Sequence, residues 1–393
     1  MKRLIITTLV LLIVLPAGAG RIPHYPFVRA DLNHLEMPAG ASPTYDIFLH
    51  KLDTLIRTGG TDVRILHVGG SHVQGGTWSD RLRRNFLSLR YGSDGGRGLV
   101  FPFSAAGTNT PVGYSSSYAG NWDASSCRRP GDVTLGLTGM ALTARDTSAR
   151  VTIDLLPREM HILQQRYTFN RVDVLGEGSL EPVLLMGPKD TLRGVQGHFV
   201  LPYYTDWLQL AFEGSGSYTL RGLYLDKPNT GFSLMEAGVN GASTTSWLRC
   251  ELWEEDLRRV MPDLVIFSIG INDIQGADFD VRRFKENYRE LLRAVRRVNP
   301  YCAILFSGIN DSWRRKGVNE HTEEAEKAFR ELARECTGVF WDWYGVMGGY
   351  GSMGRWLDAG LAQPDKVHFT PAGYKLIGDL LFDAILESYQ NRL

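Results

Sequence analysis

The spacing of apolar positions changes character twice along the chain. In residues 43–57, Ile47, Phe48, Leu52, Leu55 and Ile56 recur at helix-like intervals, and Gly59-Gly60 follows as a stop, which predicts an amphipathic helix. Residues 63–68, Val-Arg-Ile-Leu-His-Val, predict a strand that ends at Gly69-Gly70-Ser71-His72. Trp78, Leu82 and Phe86 then mark a second helix. From about 98 to 230 the pattern shortens to alternations such as Val151-Thr152-Ile153-Asp154-Leu155, set among Gly, Ser and Thr. Short alternating runs between turn residues predict a β-sandwich.

From 231 onward strands and helices alternate. Residues 264–269, 303–307 and 339–343 are strand-like, and residues 279–298, 323–336 and 371–389 are helix-like. In 279–298, Phe284, Tyr288, Leu291, Leu292 and Val295 form one apolar stripe. Pro371 stands near the first turn of the last helix, where its missing N–H costs nothing. Strand–helix alternation implies a parallel sheet covered on both faces. The expected organisation is therefore one α/β domain, residues 20–97 and 231–393, interrupted by an all-β domain over residues 98–230.

Residues 1–19 do not fit either domain. Lys2 and Arg3 precede an apolar run from Leu4 to Leu15, and Pro16-Ala17-Gly18-Ala19 follows. This is the pattern of a secretory signal peptide cleaved after Ala19, and the run is shorter than the roughly 20 apolar residues a membrane span needs. The expected location is thus the periplasm, the cell envelope or the exterior, with no integral membrane span. Cleavage removes Lys2 and Arg3 and leaves 41 basic against 43 acidic residues. The full chain is neutral, which gives no basic footprint for nucleic acid. Export permits disulfides, but Cys127, Cys250, Cys302 and Cys336 are far apart and show no metal-ligand spacing. They are expected as buried free thiols, with one bridge open. No metal or cofactor is expected.

Three motifs carry candidate chemistry. Gly69-Gly70-Ser71-His72 places a serine after a strand and before a helix, where helix N–H groups favour developing negative charge. Ser268-Ile269-Gly270-Ile271-Asn272-Asp273 offers the Asn272 amide as a donor to an oxyanion. Asp365-Lys366-Val367-His368 puts an aspartate where it can orient an imidazole. Each motif alone is equally what a βα turn, an Asx cap or a helix-entry loop looks like.

Together and in this order, they resemble the SGNH (GDSL-type) hydrolase family. The resemblance spans both α/β stretches, about 240 residues. It implies a three-layer, flavodoxin-like α/β fold with Ser71 as nucleophile, His368 as its general base and Asp365 as the group orienting His368. It also implies an oxyanion hole formed by the Ser71 N–H, the Gly241 N–H of Gly238-Val239-Asn240-Gly241-Ala242, and the Asn272 amide, with Gly270 completing the Gly-x-Asn block. One position departs from the family: Gly70 stands where Gly-Asp-Ser has aspartate, and His72 is one candidate to fill the gap.

Arg90-Tyr91-Gly92, the run Gly95-Gly96-Arg97-Gly98-Leu99-Val100-Phe101-Pro102, and Trp341-Asp342-Trp343 with Met347-Gly348-Gly349 are similar to segments of peptidoglycan O-acetylesterases in this superfamily. So is the segment 365–374. Those enzymes carry a carbohydrate-binding-like sandwich between the serine and glycine blocks, where residues 98–230 fall here. The implied function is a serine esterase acting on an acylated cell-envelope glycan. The alternatives are a degenerate glycan-binding homologue and an O-acetyltransferase using the same acyl-enzyme.

Overall fold

The computed structural model describes residues 22–129, 131–155, 167–187, 190–276 and 278–392. The leader expected over 1–19 lies outside them. Among the described residues, no helix is long and apolar enough to cross a membrane.

A six-stranded sheet organises the α/β part. Its spatial order is Leu35–Glu36, Val339–Trp341, Ala303–Ser307, Leu264–Ser268, Val63–Gly69, Phe232–Gly238. The last five strands are mutually parallel, and the two-residue edge strand is antiparallel. Taken in chain order, the parallel strands lie 2-1-3-4-5, which is the flavodoxin-like arrangement with its switch point between the first and third. Adjacent residues of the central strands face opposite layers. Phe267 and Phe306 meet Tyr288 of helix Val281–Val298. Their neighbours Ser268 and Ser307 point the other way, into a buried chain His67 Nε2···Ser268 Oγ (2.8 Å) and Ser268 Oγ···Ser307 Oγ (3.0 Å). His67 stands edge-on to Trp78 of helix Thr77–Ser88. Both faces are therefore covered, as the strand–helix alternation predicts.

The sequence reading missed two strands of this sheet. Leu35–Glu36 is too short to show a period. Phe232–Gly238 is fully buried but carries Glu236, a charge that breaks the apolar signature. Glu236 accepts hydrogen bonds from Arg83 and, at 2.6 Å, from Arg97, both also buried. Arg83 donates further to the Leu234 carbonyl at 2.8 and 3.0 Å, and Arg97 lies over the Tyr114 ring. This cluster joins the sheet edge, helix Thr77–Ser88 and the start of the β region. Buried charges persist only when paired, and removing one partner of such a pair costs about 3–5 kcal/mol.

Residues 98–226 form two antiparallel sheets. One has the order Thr191–Arg193, Glu181–Leu185, Trp207–Glu213, Arg150–Asp154, Ser115–Ala119. The other has His198–Thr205, Phe169–Gly178, Tyr218–Asp226, Met140–Ala144, Trp122–Ser126, and Gly98–Val100 pairs with Tyr218–Asp226. Phe212 of the first sheet meets Trp122 and Tyr218 of the second, so the sheets share an aromatic core. The four cysteines are free; Cys127, Cys250 and Cys302 are buried, and Cys336 is partly exposed.

Candidate active site

The carboxyl ends of the first and third parallel strands, at the switch point, carry Ser71 and Asn272. Val63–Gly69 runs through Gly70 directly into the short helix Ser71–Gln74. Leu264–Ser268 leads through Gly270 into the helix Ile271–Ile274. Crevices at such ends are where open α/β sheets bind ligands.

Ser71 Oγ lies 2.8 Å from His368 Nε2, and His368 Nδ1 lies 2.7 Å from Asp365 Oδ2. Asp365 Oδ1 accepts the backbone N–H groups of Val367 and His368, each at 2.9 Å. Burial raises the Asp365 pKa, but these N–H donors and the His368 side chain outweigh it, and the carboxyl is held below its ordinary value. An ionised carboxylate can only accept, so Nδ1 carries the ring proton. Nε2 is then the free base facing Ser71. The arrangement can take the serine proton as Oγ attacks a carbonyl, and can balance the imidazolium that forms.

Three N–H groups around Ser71 are candidate donors for an oxyanion. The Ser71 N–H opens its helix and the Gly241 N–H stands in a turn; neither donates to another described group. Asn272 Nδ2 gives one hydrogen to the Ala242 carbonyl at 2.9 Å and keeps the other. Gly241 has φ +76°, a left-handed conformation that favours glycine. The turn 239–242 wraps directly over Gly70. A Cβ on Gly70 would stand 3.0 Å from Asn272 Nδ2 and 3.4 Å from the Ala242 carbonyl.

That contact corrects one expectation. The space next to Gly70 is taken by the Asn272 amide, and His72 turns elsewhere. Its Nδ1 pairs with the Tyr374 hydroxyl at 2.7 Å, and its ring packs 5.1 Å behind that of His368. Burial, reinforced by His368 and opposed by Asp365, lowers the His72 pKa to about 3. A neutral His72 spares the His368 imidazolium a like-charged neighbour.

Three polar residues were given no role by the motif reading. Gln74, one helical turn beyond Ser71, is buried and accepts the Asn240 N–H at 2.6 Å. Asp273 accepts from Thr244 N and Oγ1, the latter at 2.6 Å, and so ties the asparagine block to the segment after Gly241. Burial pushes Asp273 up to about 6 against those hydrogen bonds. Arg128, exposed on the β region, lays its guanidinium against Gly241. The i, i+3 spacing of Gln74 from Ser71 was a usable signal; Arg128 had none. A polar depression of about 270 Å³ adjoins Asn272, lined by Ser243, Thr245, Arg283 and Asn287 among others. Among the described residues, no group of three or more His, Cys, Asp or Glu could hold a metal ion.

The buried histidines set an acid limit on stability. Burial lowers His67, like His72, from 6.5 to about 3. The unfolded chain binds these protons below pH 6.5 and the folded chain does not, so stability falls as pH drops from 6.5 toward 3. Asp256 and Asp273, raised by burial from 3.8 to about 6, act in the opposite sense between those two values. The acid loss is therefore blunted between pH 6 and 4 and steepens below 4. In melting curves at pH 7 and pH 5, His72→Phe is expected to lose less Tm on acidification than wild type. Equal losses would remove His72 from this account.

Residues 207–376 match the model of the GDSL-like Lipase/Acylhydrolase family. The matched segment contains Gly241, Asn272, Asp365 and His368, and begins after Ser71. The resemblance read from the motifs is thus borne out, and the class this segment is similar to is that of the GDSL-like acylhydrolases.

Among solved structures, a peptidoglycan O-acetylesterase aligns with TM-score 0.75 at 24% identity, covering 91% of this chain and 99% of that one. That alignment extends over the β region and shows a shared fold. A GDSL-like lipase from Bacteroides thetaiotaomicron aligns over 39% of this chain and 76% of its own, with 19% identity and TM-score 0.32. A catalytic mutant of an acetylxylan esterase from Geobacillus stearothermophilus covers 39% and 73%, with 19% identity and TM-score 0.33. A search of curated proteins gives no match.

Proposed function

We propose that this chain is an exported serine esterase that removes O-acetyl or other short acyl groups from a cell-envelope glycan, with peptidoglycan as the first substrate to test. The observation that carries the reading is the unbroken line Ser71 Oγ, His368 Nε2, His368 Nδ1, Asp365 Oδ2, with contacts of 2.8 and 2.7 Å. Such a line activates a hydroxyl that is otherwise a weak nucleophile. Ser71 Oγ attacks the ester carbonyl while His368 Nε2 takes its proton. The Ser71 and Gly241 N–H groups and the Asn272 amide receive the oxyanion. His368 returns the proton to the departing sugar hydroxyl, leaving an acyl-serine. Water, deprotonated by His368, then attacks the acyl-serine; the bond to Ser71 Oγ breaks as His368 returns that proton to Oγ, and the carboxylic acid leaves.

Two facts support a glycan ester. The fold, including the β region, is shared with a peptidoglycan O-acetylesterase, and the depression beside Asn272 is lined by hydroxyl, amide and charged groups suited to sugar hydroxyls. The leader-like residues 1–19 support export. Against a degenerate binder, the line of contacts is intact. The test is acetate release from O-acetylated peptidoglycan and from acetylated xylan, each with wild type and Ser71→Ala. Release from peptidoglycan by wild type alone is expected; equal release by both proteins would end the proposal.

A further inference from the structure

Gln74 occupies an unusual position. It sits on the helix that Ser71 opens, its side chain is almost fully buried at 1% exposure, and all its side-chain bonds leave that helix. Its Oε1 accepts the Asn240 N–H at 2.6 Å, on the residue directly before the oxyanion glycine Gly241. Its Nε2 donates to Thr108 Oγ1 and to the Asn109 carbonyl, both at 3.0 Å. Asn240 Nδ2 closes the ring by donating to Asn109 Oδ1 at 2.7 Å and Thr108 Oγ1 at 3.2 Å. Thr108 and Asn109 belong to the β region, beyond its first strand Gly98–Val100. The strand feeding the turn also presses on this helix. A Cβ on Gly238 would stand 2.3 Å from the Gln74 N.

The geometry points to Gln74 as a positioning residue through which the β region completes the oxyanion hole. The reason lies in the peptide plane. Asn240 and Gly241 present successive N–H groups, and a turn left to itself can offer either one. With the Asn240 N–H engaged by Gln74, the turn is fixed with the Gly241 N–H unspent. Gln74 is fixed in turn, because an amide whose Nε2 is held by Thr108 and Asn109 can only present Oε1 to Asn240. The β region thereby acts on the chemical step as well as on any glycan it holds. An oxyanion donor works only when it is aimed before charge develops, so the effect belongs in kcat. This inference rests on the esterase reading.

The test uses the full chain and 4-nitrophenyl acetate, a substrate too small to need the β region for binding. Gln74→Leu removes both sets of hydrogen bonds. It is expected to lower kcat about 10- to 100-fold, the scale of an angstrom-sized misplacement, with KM within about twofold of wild type. The pH midpoint of kcat/KM should not move, because the His368–Asp365 pair is untouched. Gln74→Glu keeps an acceptor for Asn240 and is expected to recover part of the loss.

The double variant Thr108→Val with Asn109→Ala leaves the Ser71 helix intact, removes the side-chain acceptors shared by Gln74 and Asn240, keeps only the Asn109 carbonyl for Gln74 Nε2, and guards against misfolding of Gln74→Leu. Its kcat should fall about fivefold or more, again without a change in KM. Wild-type kcat in that double variant, or in a Gln74→Leu protein that melts like wild type, overturns the inference. Absence of turnover by wild type itself would instead reject the esterase reading.

Discussion

Ser71→Ala is expected to abolish ester hydrolysis, with kcat falling about 10⁴-fold or more while the protein folds and melts as wild type does. Ser71 is only partly buried, and its hydroxyl makes a single hydrogen bond, to His368. Its loss therefore leaves no buried group unsatisfied and no cavity in the core. All of the cost falls on the reaction, because among the described residues no other hydroxyl is hydrogen-bonded to His368 Nε2. Removal of a nucleophile in a triad costs as much as removal of the whole triad, since its members act as one unit. His368→Ala should accordingly show a loss of the same order, and the double variant should be no worse than either single variant. Acetate release from an acetylated substrate, followed against a no-enzyme blank, is the measurement. Residual activity within tenfold of wild type would mean that another group supplies the nucleophile.

Asn272→Ala is expected to reduce kcat about 10²- to 10³-fold, the usual cost of one oxyanion donor. KM should change little, because the ground-state carbonyl draws less on the donor than the tetrahedral intermediate does. In the proposed mechanism the Asn272 amide has two tasks: one hydrogen goes to the Ala242 carbonyl, and the other is left for the oxyanion. Asn272→Asp separates them. A carboxylate cannot donate to Ala242, and its charge would repel the oxyanion, so this variant should fall below Asn272→Ala. Steady-state kinetics of the three proteins on one acetate ester check the order. An aspartate variant more active than the alanine variant would remove Asn272 from the hole.

Much of this arrangement was legible in the sequence because its signals are local. The strands at 264 and 303 are nearly continuous apolar runs, as buried parallel strands tend to be, and the strand at 63 is marked by its β-branched and aliphatic residues and the glycines that end it. The helix stripe from Phe284 to Val295 repeats at helix spacing. Ser71 follows a strand and precedes a helix, and Asp365 and His368 lie three residues apart, so each motif could be placed before any contact was known. The strand Phe232–Gly238 was not legible because Glu236 interrupts it, and the charge makes sense only beside Arg83 and Arg97, more than 130 residues away. The role of position 70 was illegible for a similar reason. What fills the space beside Gly70 is the side chain of Asn272, distant in sequence and adjacent only across the switch point. Proximity in sequence pointed to His72, whose ring is drawn away by Tyr374. Gln74 lay between these cases: its spacing from Ser71 was visible, but Thr108, Asn109 and Asn240 were needed to give it a task.

The central claim is that Ser71 is a nucleophile activated by His368. The most direct measurement is to treat the full chain with a fluorophosphonate, a reagent that bonds to activated serines, and to locate the adduct by peptide mass spectrometry. A single adduct on Ser71, formed by wild type and lost in His368→Ala, is the predicted result. A wild-type chain that stays unlabelled, or that carries the adduct on another serine, would contradict it.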